Sequence, residues 1–166
     1  MTWWKRVSKL KRDKSKSEKR VREQLESSGL DFGYECEKFE YPVRIRLPLV
    51  SVNSAKDIHN PSLWRRMTGN FHEIHTYTPD FFVKTKSGKT VIIEVKGEFN
   101  ASDREKIRIM KKVYFDKGLD FRMIFDRSKS KFSKTNSKTY GEFCDQYKIL
   151  YADKEIPNEW LNEFNK

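Results

Sequence analysis

Cysteine is almost missing from this chain. Its 166 residues include two, Cys36 and Cys144, so no disulfide framework staples the fold. Long apolar runs are missing as well, and nothing approaches the roughly 20 residues that a membrane-spanning helix needs. The stretch from Met1 to Lys16 has no apolar core of a secretory signal. There is no internal repeat, no glycine-rich phosphate loop and no paired-cysteine spacing for zinc. Disorder is excluded for the opposite reason, because 12 Phe, 7 Tyr and 4 Trp are too many for a chain that never packs. The expectation is a soluble, intracellular, cytoplasmic protein of one domain's length, long enough to bury about 70% of its unfolded surface.

What the chain does have is positive charge, and it is unevenly placed. The formal net charge is +11, from 35 Lys plus Arg against 24 Asp plus Glu. Residues 1–22 carry +8 and residues 104–138 carry another +8. The stretches 23–103 and 139–166 carry −2 and −3. Two basic blocks around a slightly acidic centre are the footprint of a polyanion binder, since each neutralised phosphate releases condensed counterions. The plainer alternative is a solubilising surface.

Periodicity gives a coarse map. Residues 1–16 read as a basic tail holding Trp3 and Trp4, and residues 17–166 as one domain. Residues 17–28 read as an amphipathic helix stopped by Gly29, with Glu18 on the apolar stripe of Val21 and Leu25. An acid on a core-facing stripe needs a partner or a metal. Residues 31–43 read as one strand with a bulge, because the alternation changes phase within it. Residues 44–74 are broken by Pro48, Pro61 and Gly69 and read as an insertion or bridge with a job of its own. Residues 77–84 and 90–96 read as a hairpin turning at Ser87-Gly88. A helix follows over 101–117, with Ser102 and Glu105 spaced as a capping box and Gly118 as its stop. A strand over 120–126, a Ser/Lys loop over 127–138, a helix over 140–147, a strand from Ile149 to Ala152 and a helix over 157–164 begun by Pro157 complete it. The order predicts an α/β fold with a central mixed β-sheet flanked by helices.

The hairpin carries the chemistry. On its second strand Val91, Ile93 and Val95 share one face, while Glu94 and Lys96 leave from the other. Asp80, after Pro79 on the first strand, is brought near Glu94 by the hairpin. Two carboxylates suit a hard cation such as Mg²⁺ or Mn²⁺, with the Val95 backbone carbonyl as a further ligand. One or two such ions polarise a scissile phosphate and acidify the attacking water. Lys96 is placed to position that water or to stabilise developing charge. Glu18 would complete the carboxylate set. An ordinary exposed Glu-Val-Lys strand is the plain alternative.

Other candidates carry less. His59, His72 and His75 could suggest zinc, since His72 and His75 could share a helical face, but Cys36 and Cys144 are distant in sequence and no paired cysteine spacing accompanies them. His59-Asn60-Pro61 looks like the middle of an HNH nuclease motif whose remainder is absent. Cys144 lies among Tyr140, Phe143 and Tyr147 and reads as core.

At these residues the chain resembles known proteins. Pro79-Asp80 with Glu94-Val95-Lys96 resembles the PD-(D/E)XK nuclease superfamily, whose core is restriction-endonuclease-like. Thr76-Tyr77-Thr78-Pro79-Asp80-Phe81, Glu94-Val95-Lys96-Gly97 and Tyr140-Gly141-Glu142-Phe143-Cys144 are similar to the phage endonuclease I family, the Holliday-junction resolvases of T-seven-type phages. Ala152-Asp153-Lys154, Ile156-Pro157 and Glu159-Trp160 extend the likeness, as does Gln24-Leu25-Glu26-Ser27 in the first helix. The similarity spans residues 17–43 and 75–164, and residues 44–74 are longer than the family's bridge. The resemblance implies a homodimeric, Mg²⁺-dependent endonuclease that cuts four-way and other branched DNA in a host cell's cytoplasm. It implies a catalytic set of Glu18, Asp80, Glu94 and Lys96. It also implies N-terminal segments exchanged between protomers, so that Glu18 completes its partner's site.

DNA contacts are expected from Arg127, Lys129, Lys131 and Lys134 in the Ser/Lys loop, and from Arg104, Lys106, Lys111 and Lys112 on the preceding helix. Two rival functions fit the same residues. One is a homing or restriction-like nuclease, or a transposase's cutting subunit, on the same scaffold. The other is a basic DNA-binding module without catalysis.

Overall fold

A computed structural model describes residues 14–44 and 72–166. The Trp-bearing tail through residue 13 and most of the 44–74 segment, His59 included, lie outside the described residues. Those described fall into two units, residues 14–39 with 78–166, and residues 40–44 with 72–77.

The larger unit is built on a five-stranded mixed sheet. Its strands are β1 (Asp31–Tyr34), β4 (Phe81–Lys84), β5 (Thr90–Lys96), β6 (Asp120–Phe125) and β7 (Leu150–Asp153), hydrogen-bonded in that order. β4 runs antiparallel to both β1 and β5, while β5, β6 and β7 run parallel to one another. The parallel pairs need crossovers, supplied by helices α2 (Ala101–Val113) and α3 (Tyr140–Tyr147). Helices α1 (Lys16–Ser27) and α4 (Asn158–Phe164) complete the unit. β5 is central and its Val91 to Val95 are all buried, an apolar run that Glu94 alone interrupts. Val91, Ile93 and Val95 join Val21 and Leu25 of α1 and Trp160 and Phe164 of α4 in one core. The opposite face carries an aromatic cluster in which Phe99 meets Phe125, Tyr140 and Phe143 at 5.5, 5.7 and 5.1 Å. Each such buried side chain contributes about 1.5–3 kcal/mol, which makes β5 a rigid platform. The second sheet has two strands, β2 (Phe39–Arg44) and β3 (His72–Tyr77), and within the smaller unit Tyr41 meets the His75 ring edge-on at 5.9 Å.

The local signals explain the helices. Ser15 caps α1 by accepting the Glu18 N–H at 3.1 Å, and Gly29, at φ 69°, takes the left-handed turn that ends it. Thr139 and Glu142 form a reciprocal capping box at the start of α3.

Some expectations need correction. Residues 31–43 are not one bulged strand but two strands in different sheets. Glu35 takes a left-handed backbone (φ 45°) and gives its N–H to the Asp80 carbonyl, which breaks the strand where the alternation changes phase. The first arm of the hairpin is only Phe81–Lys84, because residues 72–77 pair with β2 and Pro79 has no N–H to continue a ladder. Ser102 and Glu105 do not cap α2. Asn100 does, accepting the Asp103 N–H at 2.9 Å, since it stands where the chain enters the helix. That helix ends at Val113, a 3-10 turn over Phe115–Lys117 follows, and Gly118 closes it at φ 102°. Pro157 stands just ahead of α4 rather than within it.

Candidate active site

The site forms at the end of the sheet where β4 begins and β5 finishes. The β4–β5 register pairs Phe81 with Ile93, so one step further Asp80 comes opposite Glu94. The Asp80 N–H points at Glu94 Oε2 at 3.4 Å, and Asp80 Oδ2 accepts the Val95 N–H at 2.8 Å. A strand residue turns its N–H and C=O to the same side. The Val95 carbonyl therefore also faces this side, where the residue across, Pro79, has no N–H to occupy it. Lys96 Nζ lies 2.9 Å from Glu94 Oε1 and 3.7 Å from Asp103 Oδ1 in the first turn of α2.

Burial makes this an electrostatically loaded pair. Asp80 is 9% exposed and Glu94 2%. Burial first, and then the Glu94 charge, hold the Asp80 carboxyl well above the usual carboxylate range against the opposing Val95 N–H and Lys96. Burial alone would lower the Lys96 ammonium's pKa, but the Glu94 carboxylate, with help from Asp80 and Asp103, outweighs it and raises it. Two buried acids in contact favour either a shared proton or an added cation.

Glu18 does not fray into solvent. It is 7% exposed in the first turn of α1, where its charge also acts on Asp80. Its Oε2 accepts the Tyr34 hydroxyl and, at 3.0 Å, the Lys14 N–H. Glu18 is thus held by other groups than Asp80 and Glu94. Among the described residues, no three His, Cys, Asp or Glu side chains gather into a ready-made metal cluster. Beside it the Ser17 hydroxyl donates to Asp126, whose N–H meets the Lys96 carbonyl at 3.1 Å. Gly97 leaves room for that carboxylate, as a Cβ there would stand 3.1 Å from Asp126 Oδ2. Tyr34, Glu35, Ser17, Asp103 and Asp126 escape a reading of the sequence because they join the site only through strand pairing and helix docking.

The expected DNA-contacting cations separate into two groups. Arg127, Lys129, Lys131 and Lys134 are exposed and have no ion-pair partner among the described residues. Their loop is anchored: Asp153 accepts the Ser128 N–H at 2.6 Å and its hydroxyl at 3.1 Å. Phe132 packs against Phe99 and Tyr140. On α2 the cations are largely engaged. Arg104 stacks 3.9 Å over Phe132 and donates to the Phe99 carbonyl at 2.7 Å. Lys106 and Lys111 pair with Asp103 and Asp116 at 3.3 and 2.6 Å, while Lys112 is exposed. Cys144 is buried in the core with its thiol pushed up to about 12 by burial, 3.8 Å from the Met123 sulfur.

The sequence profile of phage endonuclease I matches residues 68–166. Endonuclease I of Escherichia phage T7 is 32% identical over 149 residues, spanning 90% of this chain and 78% of the relative. Endodeoxyribonuclease 1 of Enterobacteria phage T3 is 32% identical over 149 residues, spanning 90% of this chain and 76% of the relative. An acid pair and a lysine at the end of a mixed sheet, a profile over more than half the chain and two relatives at this identity lead to one assignment: the chain belongs to the phage endonuclease I family.

Proposed function

We propose that this protein is a structure-selective DNA endonuclease that resolves Holliday junctions and other branched DNA by metal-dependent phosphodiester hydrolysis. The observation that carries this reading is the contact of Asp80, Glu94 and Lys96 at the end of β5. The names of the T7 and T3 relatives support DNA cleavage. The donors fit Mg²⁺ or Mn²⁺, because a divalent charge would relieve a repulsion between two buried carboxylates that Lys96 offsets only in part. Asp80, Glu94 and the Val95 carbonyl would hold one or two ions, with Glu18 as the third carboxylate. Such an ion supplies polarisation of the scissile phosphate and a lower pKa for the attacking water.

Each side chain then has a role. Asp80 is oriented by the Val95 N–H. Lys96 holds a proton and a positive charge beside Glu94, where it orients water and balances charge developing on the phosphate. The Ser/Lys loop supplies cations that grip backbone phosphates, which reads shape rather than sequence. In a two-fold dimer with exchanged N-terminal segments, two such sites would make paired nicks across a junction of matching symmetry.

The test is Glu94→Ala with a four-way junction of unrelated arm sequences. Mg²⁺-dependent cutting should be lost while junction binding in EDTA persists. Cleavage at the wild-type rate overturns the assignment, and a strict requirement for one sequence overturns structure selectivity.

A further inference from the structure

We propose that Tyr34 is a positioning residue of this site, its hydroxyl fixing the carboxylate of Glu18 so that one oxygen is presented for ligation. The inference rests on the reading of Glu18, Asp80 and Glu94 as the carboxylate set.

Tyr34 ends β1 and is wholly buried. Its ring is clamped from two sides. The Phe81 ring, next in sequence to Asp80, lies 5.2 Å away. The Arg22 guanidinium, one turn beyond Glu18 on α1, sits 4.6 Å from the ring centroid. A buried phenol held in this way must find an acceptor, and it finds Glu18 Oε2. The Lys14 N–H takes the same oxygen. Oε2 is therefore committed to two donors, and Oε1 has no partner among the described residues.

The next residue touches the second acid. Glu35, in a left-handed conformation that a non-glycine residue adopts only when its surroundings enforce it, donates its N–H to the Asp80 carbonyl at 2.8 Å. Successive residues at the end of β1 thus hold two of the three carboxylates, one by a side chain and one by the backbone. Tyr34 and Glu18 both precede residue 44, so their contact travels with Glu18 whichever protomer's site that segment serves.

The experiment is a double-mutant cycle on the full chain with Tyr34→Phe, Glu18→Asp and the pair together. Glu18→Asp keeps the charge and shortens the reach to the phenol. Two quantities are read: the affinity for Ca²⁺ alone, by calorimetry, and the single-turnover rate of junction cutting in Mg²⁺. Circular dichroism confirms that each variant is folded. Losing an outer partner of a ligand costs about 10–100-fold, so Tyr34→Phe should weaken Ca²⁺ binding and slow cutting by at least about tenfold. The double variant should be no worse than Glu18→Asp, because the phenol acts only through that carboxylate. Losses that multiply, or a Tyr34→Phe protein that behaves as wild type, overturn the proposal. 4-Fluorophenylalanine at position 34 fills the hydroxyl's space without donating, and it carries the same comparison if Tyr34→Phe does not fold. Wild-type cutting by Glu18→Asp and Glu94→Ala together would instead overturn the carboxylate set itself, whatever Tyr34 does.

Discussion

Asp80 is buried against a second carboxylate, that of Glu94. Burial and Glu94 push its pKa up, so its neutral form is favoured in the folded protein. Between the ordinary carboxylate value and that raised value, the unfolded chain ionises while the folded chain keeps its proton. Stability therefore falls as pH rises through this window and is fully present below it. Asp80→Asn removes the charge but keeps an oxygen for the Val95 N–H. It should raise the melting temperature of the metal-free protein at neutral pH, by about 2–4 °C for each kcal/mol relieved. The gain should vanish near pH 4. A divalent cation should stabilise wild type and not the variant. Thermal melts at two pH values, with EDTA or Ca²⁺, check all three outcomes. A variant that melts below wild type at neutral pH contradicts the account of Asp80.

At the scale of elements, the 127–138 loop is the feature to test. Its exposed cations have no ion-pair partner among the described residues, its backbone is pinned at Ser128 and its Phe132 ring packs on Tyr140. If this loop grips DNA as proposed, it would meet it preformed and lose little entropy on binding. Changing Lys129, Lys131 and Lys134 together to Ala should weaken junction binding. It should also flatten the dependence of log K on log salt by about 0.9 for each phosphate no longer neutralised. Cutting of bound junction should survive. Binding isotherms at several salt concentrations measure the slope, and an unchanged slope removes the loop from the interface. On α2, Arg104 donates to the Phe99 carbonyl and lies over the Phe132 ring. That contact with the loop's aromatic anchor is one a count of lysines and arginines along the sequence cannot reveal.

Across the whole larger unit, the sheet and the C-terminal helix are tied by a buried arginine. Arg122 is 1% exposed on β6, and its guanidinium lies 5.0 and 4.9 Å from the Trp160 and Phe164 rings of α4. Asp120 and Glu163 pair with it at 2.8 and 2.7 Å. Removing one partner leaves a buried charge half-compensated. Glu163→Ala should therefore cost about 1–2 kcal/mol in urea unfolding, with the junction-cutting rate of the folded protein unchanged. No helix among the described residues is long and apolar enough to cross a membrane.

The sequence by itself determined what is periodic. A two-residue alternation put Glu94 and Lys96 on one side of β5, and helical spacing put Glu18 beside Val21 and Leu25. Both patterns are local, since backbone geometry sets where neighbouring side chains point. The uneven charge was equally plain, with +8 at each basic block. Only the tertiary structure decided what pairing and packing bring together. Asp80 reaches Glu94 through the β4–β5 register, Tyr34 reaches Glu18 through the docking of α1, and Glu35 breaks a strand by bonding across to Asp80. These contacts span 14 to 45 residues of chain. No local period encodes them, because each depends on which surfaces bury together rather than on which residues follow one another.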